Sequence, residues 1–367
     1  MSELFRTIVT IVLFFGILGL LVLVHELGHF VTARLFGVRV LEFGFGFPPR
    51  ARILRNRGET LYTLNWLPIG GFVRLEGDDS AAEDRRSFAR QGLPKKFVIF
   101  LAGVLMNLAL SFAIFTGIAL SGDPAIGVYV PYVEPGSPAE AAGVRVGDVI
   151  ARVDGRAFGA FGPDSVLADL RSSAGQTVVL GIERDGGEVE LTARLRGPAE
   201  VEAGKGALGI GQIPDHPLES RTTTDRVTYE FGTAIGLGAE RTVEATRLIV
   251  DGVGQLLTAI VTSPTEPPPA AGPVGIATQI GDVFWTLGPL VTLYLAAVLS
   301  ANLAVVNILP FPPLDGGRML MLVIKRFAGQ RLSLRAERLT YVVGFMMLMA
   351  FLVWVTAFDI ARGLGGG

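Results

Sequence analysis

From Thr7 to Ala33 the chain carries only three ionisable side chains, His25, Glu26 and His29, and the stretch from Thr7 to Val24 carries none. Wound as a helix, such a run is long enough to cross the roughly 30 Å hydrocarbon core of a bilayer. It leads straight into His25-Glu26-Leu27-Gly28-His29 rather than into a small-residue cleavage site, so it reads as a retained transmembrane helix and not a signal peptide. Composition agrees: 50% of residues are hydrophobic and 18% charged, against about a quarter charged in a soluble domain. A net charge of -2 gives no footprint for nucleic acid, and the absence of Cys removes disulfides, thiolate nucleophiles and Cys-ligated metals. Any metal must sit on His, Asp or Glu.

Uncharged runs recur at Phe97–Gly122, Val283–Leu314 and Leu339–Phe358, each long enough to span, so four spans are the simplest count. The stretch Asp225–Pro264 is interrupted by Glu230, Glu240, Arg241, Glu244, Arg247 and Asp251, and is expected to form an amphipathic helix lying on the membrane. Lys and Arg are retained on the cytoplasmic side. The segment Arg34–Lys96 holds 12 of them, and Arg318, Lys325, Arg326, Arg331, Arg335 and Arg338 crowd the connection between the third and fourth spans. Both loops are therefore expected on the cytoplasmic side, with both termini outside and the first and third spans running in one direction.

The loop after the first span reads VLEFGFGFPPR and TLYTLNWLPIGGFVRL, a glycine-punctuated alternation that predicts short strands dipping to membrane depth inside the protein. Outside, GVYVPYV, GDVIARVDG, QTVVLGIERDG and EVELTARL alternate with turn signals such as Asp154-Gly155. VEPGSPAEAAGVRVGDVIARVDG resembles the core of a PDZ domain, which implies an extended peptide held along a sheet edge, with Ile126, Gly127 and Val128 as the carboxylate-binding stretch. The expected fold is thus a polytopic α-helical membrane protein of about four transmembrane helices, with a membrane-associated β hairpin or sheet and one extracytoplasmic PDZ (α+β) domain. In chain order this gives a first span over 1–36, the β region and an amphipathic segment over 37–96, a second span over 97–122 and the PDZ domain over 124–197. A linker and interfacial helix follow over 198–282, then a third span over 283–314, a cytoplasmic helix or loop over 315–337 and a fourth span over 338–360.

His25 and His29 stand four apart, so on a helix they share a face and suit Zn²⁺. Glu26 lies about 100° round the helix from His25, positioned to exchange a proton with water activated by the metal, which is the chemistry of peptide hydrolysis. Two His leave such a site one protein ligand short. His216, the only other His, lies in the outward linker IPDHPLES, on the wrong side. Helix rise puts His25 about 27 Å from Thr7, near the cytoplasmic end of its span. The parallel third span ends at the same depth in NILPFPPLDGG, which makes Asp315 the third ligand in preference to a plain helix cap. Asn107, three turns into the second span, is either a further polar group near the site or a buried interhelical hydrogen bond.

HELGH, PIGGFVRL, the single PDZ-like segment, AGPVGIA and NILPFPPLDGG together resemble the site-2 protease family of intramembrane zinc metalloproteases, of the bacterial regulator-of-sigma-E-protease type. The resemblance implies one Zn²⁺ on His25, His29 and Asp315, with Glu26 as the acid/base and Asn307 in substrate handling. It implies a transmembrane protein substrate, such as an anti-sigma factor or signal-peptide remnant, trimmed first by another protease and cut within the lipid bilayer. A transmembrane substrate must unwind to be cut, and the hairpin around Gly70, Gly71 and Phe72 is expected to hold the extended segment by strand addition. The competing classes are a membrane metal transporter and a non-catalytic PDZ adaptor. Neither needs Glu26 beside the first His.

Overall fold

The computed structural model describes residues 2–78, 84–160, 162, 164–211, 218–263, 266–328 and 334–365. The chain divides into two compact units, Met1–Phe115 with Glu240–Gly367, and Thr116–Ala239.

The first unit is built on long apolar helices. α1 spans Glu3–Leu35, its start capped by Ser2, whose hydroxyl accepts from the Phe5 N–H. α2 spans Leu93–Ser121, α6 Phe231–Thr262, α7 Pro273–Leu287, α8 Pro289–Ile308, α9 Asp315–Ala328 and α10 Leu334–Gly365. Among the described residues five helices, α1, α2, α6, α8 and α10, are long and apolar enough to cross a membrane. The addition to the four expected is α6, whose charged side chains make it the least apolar of the five. The uncharged run expected as one third span is broken in two. Gly288, at φ 85°, adopts a backbone that L side chains avoid, and Pro289 can only begin a new helix.

Small residues set the helix packing, as befits surfaces that approach without a hydrophobic drive. A Cβ on Gly28 would collide with the Ala102 carbonyl, so the glycine of HELGH is what lets α1 and α2 touch. Ala296, Ser300 and Ala304 form a buried stripe on α8, and the Ser300 hydroxyl donates to the Asn107 carbonyl of α2 at 2.8 Å. The contacts also give direction. His29 and His25 meet Ile99 and Asn107, so α2 runs against α1; Tyr294 and Ser300 meet Phe115 and Asn107, so α8 runs against α2 and along α1.

Between α1 and α2, β1 (Val40–Arg57) and β2 (Thr60–Leu75) pair with each other twice. Glu42 faces Arg74 on one side and Leu61 on the other, so the two segments fold into four short strands in the spatial order 71–75, 40–45, 60–65, 50–57. The expected strands are present, and the glycines have a packing reason: a Cβ on Gly44 would overlap the ring of Phe72. Glu42, buried, accepts from Thr63 and Arg50 at 2.9 and 2.8 Å and ties the strands together.

The second unit is a six-stranded sheet with the path β7-β6-β4-β3-β8, β5 pairing with β4. Its strands are β3 Asp123–Tyr129, β4 Val149–Val153, β5 Arg156–Ala157, β6 Thr177–Arg184, β7 Gly187–Arg194 and β8 Ser220–Val227. Helices α3 (Pro138–Ala142), α4 (Val166–Ser172) and α5 (Pro198–Glu202) accompany it. Ile150, Phe158, Val166, Leu170, Leu180 and Ile182 form its core. The unit extends beyond the 124–197 expected, because β8 returns to pair with β3. β8 is polar and contributes nothing to the buried core, so its sequence carries no strand periodicity to read.

Candidate metal centre

The site forms where α1, α2 and the end of α8 meet. His25 and His29, one helical turn apart, are both buried and face α2, where Gly103 leaves room for them. The chain after α8 turns back so that α9 begins at Asp315, and its carboxylate reaches across to α1. Gly316 and Gly317 permit this turn, since a Cβ on either would overlap the backbone of Ile308 or Phe311. Asp315 is the first residue of α9 and aims its carboxylate at the histidines.

Asp315 Oδ2 lies 2.9 Å from His25 Nε2 and 3.2 Å from His29 Nε2, and the two Nε2 atoms lie 3.1 Å apart. Three donor atoms on a tetrahedron with bonds of about 2.05 Å would be about 3.3 Å apart, so this triangle needs only a slight expansion to hold a zinc ion. His29 is oriented for it: its Nδ1 donates to the Ile99 carbonyl at 2.8 Å, leaving Nε2 bare and aimed inward. Among the described residues His25, His29 and Asp315 are the one group of three such side chains so arranged. His216 lies outside the described residues.

The trio opens on a cavity of about 490 Å³ whose lining includes Glu26, Gly70, Gly71, Phe72, Asn307 and Arg318. The expected acid/base and substrate-handling residues are thus brought to one chamber with the expected ligands. Strand 71–75 is the outer strand of its sheet, paired to 40–45 on one side and to no strand on the other among the described residues. A Cβ on Gly71 would stand 3.7 Å from Glu26 Cγ, so this strand packs against the Glu26 side chain. The outer strand and the three donor atoms thus line one cavity.

Ile126, Gly127 and Val128 are not brought to an open edge. Val128 pairs with Ile150 of β4 on one side and Ser220 of β8 on the other, while Ile126 and Gly127 face Thr222 and Arg221. The edge expected to take a peptide is already paired by the chain's own strand. Asn107, in contrast, does reach the site, with its amide against His25. Two residues at the site were not expected there. Gly103 precedes Asn107 by one turn and makes the space that the imidazoles fill; Arg318 follows Asp315 by three residues, which on a helix puts both on one face.

Known proteins resemble the chain over nearly its whole length. The sequence profile of peptidase family M50 matches residues 13–351. A Clostridium perfringens protein that carries a zinc metalloprotease name is 34% identical over 340 residues, covering 93% of this chain and 95% of its own. A Nostoc protein named in the same way is 30% identical over 347 residues, covering 91% of each chain. The zinc metalloprotease RasP of Geobacillus kaustophilus is 27% identical over 437 residues, covering 97% of this chain and 99% of its own.

Proposed function

The chain belongs to peptidase family M50 and is a multi-pass membrane zinc metalloprotease, and from that premise we propose that it cuts transmembrane segments, with His25, His29 and Asp315 holding one zinc ion and Glu26 carrying the proton. The observation that carries this reading is the convergence of three donor atoms within 3.2 Å of one another, from helices α1 and α9. Zinc supplies a Lewis acid that polarises a carbonyl and brings the pKa of water towards 7. Glu26 lines the same cavity on the residue next to His25; its carboxylate accepts the proton of the attacking water and returns it to the leaving amine. The free edge at Gly70, Gly71 and Phe72 holds the unwound substrate by strand addition, supplying the backbone partners that an intact helix would have found within itself. Asn307, at the end of α8, handles the substrate in the same chamber.

Helix direction supports four crossings. α1 and α8 run parallel and α2 antiparallel, so the end of α2 and the start of α8 face the same side. The chain between them must then cross an even number of times. α7 has 15 residues, a rise of about 22 Å, and is too short to cross. α6 therefore stays on one side, a lone crossing being incompatible with the direction of α8. With Arg34–Lys96 and the α9 region cytoplasmic, the zinc site lies towards the cytoplasmic face and the sheet domain outside. The PDZ-like domain then meets substrates already trimmed by another protease, such as an anti-sigma factor or a signal-peptide remnant.

The test is zinc content and cleavage of a model transmembrane substrate in detergent, comparing wild type with Glu26→Gln and Asp315→Ala. One zinc per chain in wild type, cleavage lost in both variants and metal lost in Asp315→Ala alone is the expected result. A wild type that binds zinc without cleaving, or a Glu26→Gln protein with full turnover, would overturn it.

A further inference from the structure

Asn107 is fully buried, and its side-chain Oδ1 has no hydrogen-bond partner, while its Nδ2 lies 3.4 Å from His25 Nδ1. An orphaned acceptor one atom away from a metal-ligating ring is unexplained by packing alone. His29 Nδ1 faces a carbonyl, which can only accept, so the His29 proton is on Nδ1 and its Nε2 is bare. Asp315, as a carboxylate, also only accepts. His25 therefore meets Asp315 and His29 through Nε2, and the Asn107 amide through Nδ1.

His25 can hold a metal only through a bare Nε2, so its proton must then be on Nδ1, where it needs an acceptor. Turning the Asn107 amide by half a turn puts Oδ1 where Nδ2 now lies, and the orphaned oxygen becomes that acceptor. The main chain at Asn107 is pinned by the Ser300 hydroxyl, so the amide turns about its own bond without moving the helix.

We infer that Asn107 is a positioning residue for the metal: its amide orientation is coupled to the tautomer of His25, and its Oδ1 fixes the tautomer that leaves Nε2 free to ligate. The inference rests on the reading of His25 as a zinc ligand. Replacing Asn107 by Leu keeps the volume and removes the acceptor; replacing it by Asp keeps an acceptor with no amide to turn.

The experiment is the zinc dissociation constant of the full-length protein in detergent, measured by competition with a chelator of known affinity. Wild type and His25→Ala come first: if His25→Ala binds zinc as wild type does, the ligand assignment itself fails. With that assignment standing, Asn107→Leu should weaken binding by about 10- to 100-fold, whereas Asn107→Asp should stay within about threefold of wild type. Ser300→Ala, which removes the interhelical bond at the same level without touching the imidazole, should leave affinity within about twofold. Unchanged affinity in Asn107→Leu, equal weakening in Leu and Asp variants, or a Ser300→Ala loss as large as that of Leu would overturn the inference.

Discussion

A methyl group on Gly103 would stand 2.5 Å from His29 Nε2, the atom that faces Asp315, and 2.7 Å from His25 Cε1. The imidazoles are thus held in place from behind by an absent side chain, with α2 acting as the wall of the site. Gly103→Ala should push both rings towards Asp315 and distort the donor triangle. Zinc affinity should fall by about tenfold or more, in line with losses seen when the surroundings of a ligand are disturbed. Gly117→Ala, on the same helix with nothing within 4 Å of the added methyl, should be neutral in the same chelator competition.

Glu26→Gln keeps the shape of the side chain and removes its ability to accept a proton. Turnover should drop by about 10²- to 10⁴-fold, the range for a lost general base, with zinc content unchanged. Metal analysis and single-turnover cleavage on one preparation check both halves. A variant that loses metal as well would make Glu26 part of the ligand set.

Proline scanning tests the free edge. Consecutive residues of a strand point their N–H groups to opposite sides, so of Phe72→Pro and Val73→Pro one removes only the outward donor of strand 71–75. That variant should lose cleavage while retaining zinc. Leu54→Pro, on the opposite outer strand at a register irregularity, should cleave normally.

Acid should loosen the sheet unit through Asp148. Burial works to raise its carboxyl pKa, but the Arg184 guanidinium at 2.8 Å and the Arg145 N–H at 2.7 Å outweigh it and hold the group below the usual carboxylate range. A depressed pKa in the folded state contributes stability above the unfolded value of about 3.9, lost as pH falls through the folded value. Amide exchange in β4 and β6 should be faster in Asp148→Asn than in wild type at neutral pH. The difference should shrink below about pH 4.

His25, Glu26 and His29 were legible because helical spacing is a local property, and Asp315 because the direction of two spans limits which carboxylate shares their depth. The β region was legible from its alternation of glycine with aromatic residues. Gly103 was not, since a glycine in an apolar helix looks like any small residue until its neighbour is known to be a pair of imidazoles. The break at Gly288 was hidden inside an uninterrupted uncharged run, where hydropathy reports solvent and not backbone direction. β8 escaped for the opposite reason: with its sides largely exposed, Ser220–Val227 has no apolar period, and only its pairing with β3 makes it a strand.

That strand sets the terms on which any other chain could pair with β3. β8 is joined to β3 by one continuous chain, so the β3 edge sees it at an effective concentration on the order of millimolar, and a free peptide arriving at micromolar levels is outnumbered about a thousandfold before any side chain is compared. β8 holds its place by polar contacts, Asp225 to Arg152 and Thr224 to Glu183, with no apolar anchor in the core. The competitor able to displace it is one that brings such an anchor, or one whose own attachment to the membrane raises its local concentration to match. A dilute free peptide does neither, so the β3 edge stays with the chain's own strand in its presence.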